Sequence, residues 1–209
     1  MTLMFYYMPY STAGTTHDVL AALGVEHEVK ELSIANGDTE SPAFLAVNPN
    51  GRVPVIVHNG TPIWESAAIT IYLGEVFGTK AGLYPEPGPQ RGQAMSWLVW
   101  SSTTLSLAAG TYFGHLPSAP ETKSKESIPV GERSPFEAAR SLKKLHKALH
   151  VLDDALAKHP FIIGKSFSLV DVHVKSFIEW VRMLSVDFTQ YGNIATWLQA
   201  CEKAVTQKK

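Results

Sequence analysis

Three hydroxyls crowd the end of the first apolar run in this chain. Residues 3–7, Leu-Met-Phe-Tyr-Tyr, are short, apolar and aromatic and run into Pro9, the pattern of a buried strand. Tyr7, Ser11 and Thr12 stand where that strand gives way to a helix over about residues 15–23. A hydroxyl there can donate to an anion and accept from a backbone amide at once. The helix behind it presents unpaired amides to the same spot. Tyr7 also suits a core position in the strand. A second helix start lies at Glu65-Ser66, ahead of Ala67, Ala68, Ile69 and Leu73. Serine is a good N-cap, and the amides and partial positive charge of a helix N-terminus favour an anionic ligand. His146, His150 and Asp154 follow at i, i+4 and i+8, which would let them share a metal. No Glu stands beside the first His as in a metalloprotease helix, so a solvated helix face is the reading and no metal is expected. His17 and His173 fall on helical stretches and read as packing or surface residues. Neither a GxGxxG segment nor a phosphate-binding loop occurs.

The elements that must position these groups fall in a definite order. After the first strand and helix, Gly24 is a natural stop. Residues 26–32 read as a second strand with Val29 and Leu32 in the core. Residues 33–48 are polar and end in Phe44-Leu45-Ala46-Val47, which predicts a short helix. Residues 53–58 and 61–64 flank Asn59-Gly60, a strong signal for a type I′ hairpin. A helix from Ser66 completes β-α-β-α-β-β-α. Residues 79–92 are rich in Gly and Pro and read as a linker. Beyond it only helices are expected: residues 93–115, a stripe of Phe136, Ala139, Leu142, Leu145, Leu149, Leu152 and Leu156, and a second stripe of Val170, Val174, Phe177, Val181 and Leu184. Residues 117–135 read as a long mobile loop.

Composition excludes several function classes. The chain has 209 residues, 45% of them apolar, enough for two small domains with real cores. A formal net charge of −1 gives no reason to expect nucleic acid or an anionic membrane as partner. Cys201 is the one cysteine, so no internal disulfide can form. No apolar run reaches the length of about 20 residues that a membrane helix needs. Residues 1–7 lack a basic region and a small-residue cleavage site, so no signal peptide and a cytoplasmic location are expected.

Four local motifs, in order, resemble those of the cytosolic glutathione transferases. Asn48-Pro49-Asn50-Gly51-Arg52-Val53-Pro54 resembles the family's NPxG[KR]VP segment, with a cis proline. Glu65-Ser66-Ala67-Ala68-Ile69 resembles its E-S-x-A-I segment. Tyr7-Met8-Pro9-Tyr10-Ser11-Thr12 is most similar to the serine-type segment after strand one, although Tyr10 stands where relatives often carry Gly. Ser168-Leu169-Val170-Asp171 resembles the second domain's capping box, and Leu83-Tyr84-Pro85 its interdomain linker. The resemblance implies a thioredoxin-like, α/β glutathione-binding domain over residues 1–78, a linker over 79–92 and an all-α substrate domain over 93–209.

It further implies a transferase in which the activated thiolate of glutathione, as co-substrate, attacks a small apolar electrophile. Ser11 aligns with the activating serine, Tyr7 with the tyrosine of tyrosine-type relatives, and Thr12 with the cysteine of cysteine-type relatives. Arg52, Val53, Pro54, Glu65 and Ser66 would hold glutathione: Val53 by strand-like backbone pairing, Ser66 at the γ-glutamyl carboxylate while capping its helix, Glu65 at the ammonium. Met8, Tyr10, Trp100, Tyr112 and His115, with Met183, would line the second-substrate pocket. A homodimer serving detoxification or secondary metabolism follows from the same resemblance. A glutathione-dependent isomerase or lyase needs the same thiolate, and a non-catalytic binding module would keep the fold.

Overall fold

A computed structural model of the chain describes residues 2–9, 11–121 and 127–206. Strand β1 (Leu3–Tyr7) pairs in parallel with β2 (Glu28–Glu31). A parallel pair needs a crossover, and helix α1 (Ala13–Leu23) supplies it. Gly24, at φ 62°, ends α1 in the left-handed conformation and returns its N–H to Leu20 and Ala21. The other edge of β1 pairs antiparallel with β3 (Val55–His58), which turns through Asn59 (φ 50°) and Gly60 (φ 83°) into β4 (Thr61–Trp64). Positive φ at both turn positions is the expected hairpin geometry. The sheet order is β2-β1-β3-β4. Between β2 and β3 the short helix α2 (Pro42–Leu45) begins at Ser41, whose Oγ accepts from Phe44 N–H. Phe44, Leu32 and Val55 form a small core with Tyr6, Val47 and Val53. Helix α3 (Ser66–Leu73) packs on α1. Phe5, Leu20, Ile56, Ile69 and Leu73 are fully buried. The βαβαββα order and the all-helical remainder are as the sequence implies.

Val29 departs from expectation: it is 54% exposed, and all of β2 is exposed. An edge strand of a four-stranded sheet can leave both faces in water, so its apolar position carries no packing information.

The helical remainder comprises α4 (Pro89–Trp100), α5 (Ser106–Gly114), α6 (Pro135–Leu156), α7 (Leu169–Arg182) and α8 (Gly192–Thr206). A π-helical turn at Ser101–Leu105 joins α4 to α5. The chain divides into two compact units, residues 1–98 with 168–176, and residues 99–167 with 177–209. Helix α4 starts earlier than residue 93, because Pro89 lacks an amide that the first helical turn would leave unpaired anyway. The segment before it is pinned. Arg91 donates to Pro85 O and Thr79 Oγ1 and lies over the Tyr84 ring, and burial pushes the Tyr84 hydroxyl up to about 12. Ser134 caps α6 by accepting from Glu137 N–H, and α6 buries Leu145, Leu149, Leu152 and Leu156. Phe136, expected in that stripe, is 72% exposed in the first turn, and Ala139 is exposed with it. The stripe of α7 is buried throughout, from Val170 to Leu184. In the 117–135 loop, Arg133 donates to the carbonyls of Leu116, Pro117 and Ile128 and ties the described parts together.

Candidate functional site

The segment after β1 is built from short-range hydrogen bonds. Ser11 Oγ donates to Met8 O at 2.6 Å and accepts from Ala13 N–H at 3.2 Å. One hydroxyl thus bends the chain and presents itself at the start of α1. Ser11 O accepts from Gly14 N–H and Thr12 O from Thr15 N–H, so the chain turns into α1 through these two residues, with Thr12 as the N-cap. Thr12 is exposed, and its hydroxyl donates to Val53 O at 3.4 Å. Tyr7 is half-buried, with its ring 5.7 Å from that of Phe5 and 6.1 Å from that of His17. Met8 is half-buried, and Tyr10 lies outside the described residues.

The segment ahead of β3 is held more firmly. Asn48 is 2% exposed and uses both ends of its amide: Nδ2 donates to Arg52 O at 2.6 Å, and Oδ1 accepts from Asn50 N–H at 3.0 Å. Gly51 sits at φ 64°, and a Cβ there would lie 3.0 Å from Thr39 O, so glycine is required on two counts. The loop closes on Arg52, which is exposed, and on Val53, and the Val53–Pro54 peptide is cis. Sequence reading found the motif but not the clamp. A buried Asn two residues before an Asn-Gly turn was its only signal.

The third segment opens α3. The expected Ser66 cap is not formed. Glu65 is the N-cap residue, at φ 71° and ψ 119°, and its side chain makes no cap hydrogen bond. Ser66 is the first helical residue and is 7% exposed. The physical reason is that β4 ends at Trp64 and leaves one residue for the turn from strand to helix. Glu65 takes that turn in a conformation L-residues rarely adopt, and such strain is concentrated at ligand sites. Glu65 itself is exposed.

Residues 1–75 match the family described as glutathione S-transferase, N-terminal domain, and residues 107–204 match glutathione S-transferase, C-terminal domain. The chain belongs to the glutathione S-transferase family. It is 28% identical over 203 residues to glutathione S-transferase D7 of Drosophila melanogaster, covering 96% of this chain and 84% of that protein. A delta-class glutathione transferase of Nilaparvata lugens is 27% identical, with a TM-score of 0.82 over 97% of this chain and 89% of that one. A glutathione transferase of Phanerochaete chrysosporium in complex with oxidised glutathione shares the fold at 20% identity, with a TM-score of 0.84 over 99% and 94% of the two chains.

The remaining residues expected to line a substrate pocket lie in the second compact unit of this glutathione transferase. Trp100, at the end of α4, lines a cavity of about 660 Å³ with Leu107, Val151, Arg140 and Lys144. Tyr112 is half-buried on α5. His115 follows that helix, and its Nδ1 accepts from Ser134 N–H at 3.2 Å, tying the end of α5 to the start of α6. Met183 is 78% exposed. His146 bonds through Nδ1 to the Tyr191 hydroxyl at 2.6 Å, and His150 lies edge-on to the same ring. Among the described residues no group of three His, Cys, Asp or Glu side chains is arranged to hold a metal, and no helix is long and apolar enough to cross a membrane.

Proposed function

We propose that this glutathione transferase binds glutathione on Val53, Glu65 and Ser66, with Arg52 and Pro54 shaping the same edge, and lowers the pKa of its thiol through Ser11. Three facts support the assignment. The hydroxyl segment and the Val53 segment touch, Thr12 Oγ1 to Val53 O. Ser66 does not cap its own helix, which leaves its hydroxyl to a ligand carboxylate at the positive end of α3. Ser11 directly precedes the Thr12 N-cap of α1 and already accepts from an amide.

The chemistry asked of the site is modest. A free thiol has a pKa of about 8.5, so little thiolate exists at neutral pH. Lowering that value by about two units takes roughly 2.7 kcal/mol of preferential stabilisation of the anion. A hydroxyl donor to a charged sulfur, with helix amides beside it, supplies stabilisation of that order. The Ser11 hydroxyl donates to Met8 O, so activation turns that rotor from a neutral carbonyl to a charged sulfur. The Ala13 N–H bond to Oγ persists through the rotation and polarises the hydroxyl. The thiolate then attacks an electrophilic carbon: a C–S bond forms, the leaving group departs with its electron pair, and the thiol proton passes to solvent.

Ser11 carries this reading, and Tyr7 and Thr12 are the alternatives to exclude. Ser11→Ala should lower turnover by about tenfold or more, about 1.4 kcal/mol, while glutathione still binds. Thiolate absorbance against pH should show the bound thiol's pKa rising in that variant and holding in Tyr7→Phe and Thr12→Val. A rise in either of those, with none in Ser11→Ala, names a different hydroxyl.

The second substrate of this reading is a small apolar electrophile. The enzyme acts as a cytoplasmic homodimer in detoxification or secondary metabolism. Light scattering at micromolar concentration should return twice the 22.9 kDa of one chain.

A further inference from the structure

The two helices that open onto the proposed glutathione site are each tied, one turn in, to the same third helix. In α3, Thr70 stands one turn beyond Ser66. Its hydroxyl is fully buried, donates to Ser66 O at 2.9 Å and meets His173 Nδ1 at 2.8 Å. A hydroxyl has one proton, and Thr70 spends it on Ser66, so Nδ1 of His173 must be the donor in the second bond. That fixes the tautomer of His173. In α1, Thr15 stands one turn beyond Ser11. It is 3% exposed, its N–H bonds to Thr12 O, and its hydroxyl donates to Ser176 Oγ at 3.0 Å. His173 and Ser176 are three apart on α7 and therefore share a face of that helix.

The start of α7 is itself immobilised. The buried Asp171 carboxylate accepts from both Ser168 N–H (2.9 Å) and Ser168 Oγ (2.8 Å), and Leu169 N–H donates to Leu83 O at 2.9 Å. The residues involved, 168–176 together with α1 and α3, all lie in the first compact unit.

We infer that His173 and Ser176 are positioning residues of the thiol site: α7 is a fixed post that sets the first turn of α3 through Thr70 and the first turn of α1 through Thr15. The inference rests on the glutathione site proposed above. It assigns the two tethers different consequences. The His173–Thr70 tether sets the carboxylate end of the site, at Ser66. The Ser176–Thr15 tether sets the activating end, at Ser11. Neither His173 nor Ser176 touches substrate. Both act through the register of a helix turn, and a displacement of a few tenths of an ångström there changes a hydrogen bond to a ligand more than it changes a packed core.

Steady-state kinetics with glutathione and an activated aryl chloride separate positioning from simple stabilisation. Thr70→Val, which keeps the shape and removes the hydroxyl, should raise the KM for glutathione about five- to tenfold and leave the KM for the aryl chloride within about twofold. His173→Leu should do the same. His173→Asn, whose amide nitrogen can replace Nδ1 as donor, should recover most of the loss. Ser176→Ala should instead raise the bound thiol's pKa and lower kcat, with the glutathione KM held. If His173→Leu does not fold, the Thr70→Val and His173→Asn pair carries the comparison. Lowered melting temperatures with KM, kcat and thiol pKa unchanged in all four variants would overturn the inference, as would His173→Asn behaving no better than His173→Leu. Calorimetry on Ser66→Ala and Glu65→Gln isolates the underlying reading. Unchanged glutathione affinity in both removes the site and the post with it, whereas lost affinity there beside an inert Thr70→Val overturns the post alone.

Discussion

Helices α3 and α7 both begin beside a serine with an acidic residue close by, and they use the pair in opposite ways. At α7, Ser168 and Asp171 satisfy each other: the carboxylate takes two hydrogen bonds from one residue and is fully buried doing so. At α3, Glu65 is exposed on a strained backbone and its side chain makes no cap hydrogen bond, and Ser66 enters the helix without capping it. A helix start built for folding closes its polar groups on themselves. On the reading proposed above, a helix start built for a ligand leaves them open and relies on neighbours for its position. The difference is visible only in geometry, because both are short serine-and-acid strings in the sequence.

The sharpest way to break the contrast is to open the closed start. Asp171→Ala strips a buried acceptor from Ser168 N–H and Oγ and should cost about 3 kcal/mol of folding stability, read as a fall in the denaturation midpoint at unchanged slope. A loss below about 0.5 kcal/mol would show that the box is decorative.

Acid probes the same helix two residues further on. Burial pushes His173 down to about 3 from an ordinary 6.5, so the folded chain holds it neutral. A depressed folded-state value means the unfolded chain binds the extra proton between those limits. Stability from this group is therefore complete above about pH 6.5 and falls as pH drops below it. The slope approaches about 1.4 kcal/mol per pH unit, or about 2 kcal/mol between pH 6.5 and 5. Denaturant titrations across that range should show the decline, and His173→Asn should remove this residue's share of it.

Opening what is already open should do little to the fold. Ser66→Ala removes no cap, so stability should hold within about 0.5 kcal/mol, while glutathione affinity measured by calorimetry should fall about tenfold, about 1.4 kcal/mol. A large stability loss with affinity intact would place Ser66 with Ser168 as a folding residue and end the contrast.

How much of this was legible beforehand depended on whether the signal was local. Asn59-Gly60 specifies its own turn through two backbone conformations, so the hairpin needed no other part of the chain. The Asn48–Val53 and Glu65–Ile69 strings were legible for the same reason. The Ser66 cap was misread because capping depends on where β4 ends, and one residue decides which position enters the helix first. Thr70, His173, Thr15 and Ser176 were not legible as a group at all. The two tethers join residues 103 and 161 positions apart, and no local pattern marks either end. Phe136 misled by periodicity: the buried face of α6 begins at Ala138 and Ser141, and the stripe drawn through Phe136 and Ala139 runs beside it.

Val29 gives the smallest effect and the cleanest control. The contrast between open and closed starts assumes that the sheet beneath them is a rigid platform whose stability comes from β1, β3 and the helices packed on them. Val29 lies in register with Phe5, which is fully buried, yet is itself 54% exposed because β2 is the edge strand. Val29→Thr keeps the branched shape that suits a strand and exchanges one exposed methyl for a hydroxyl already in water. Stability should move by no more than about 0.5 kcal/mol, with kcat and both KM values unchanged. A loss of about 2 kcal/mol would mean that the β2 edge is covered in the working molecule, as it would be if a second chain lay along it. The effect would then deepen with dilution, because a stability that depends on association depends on concentration.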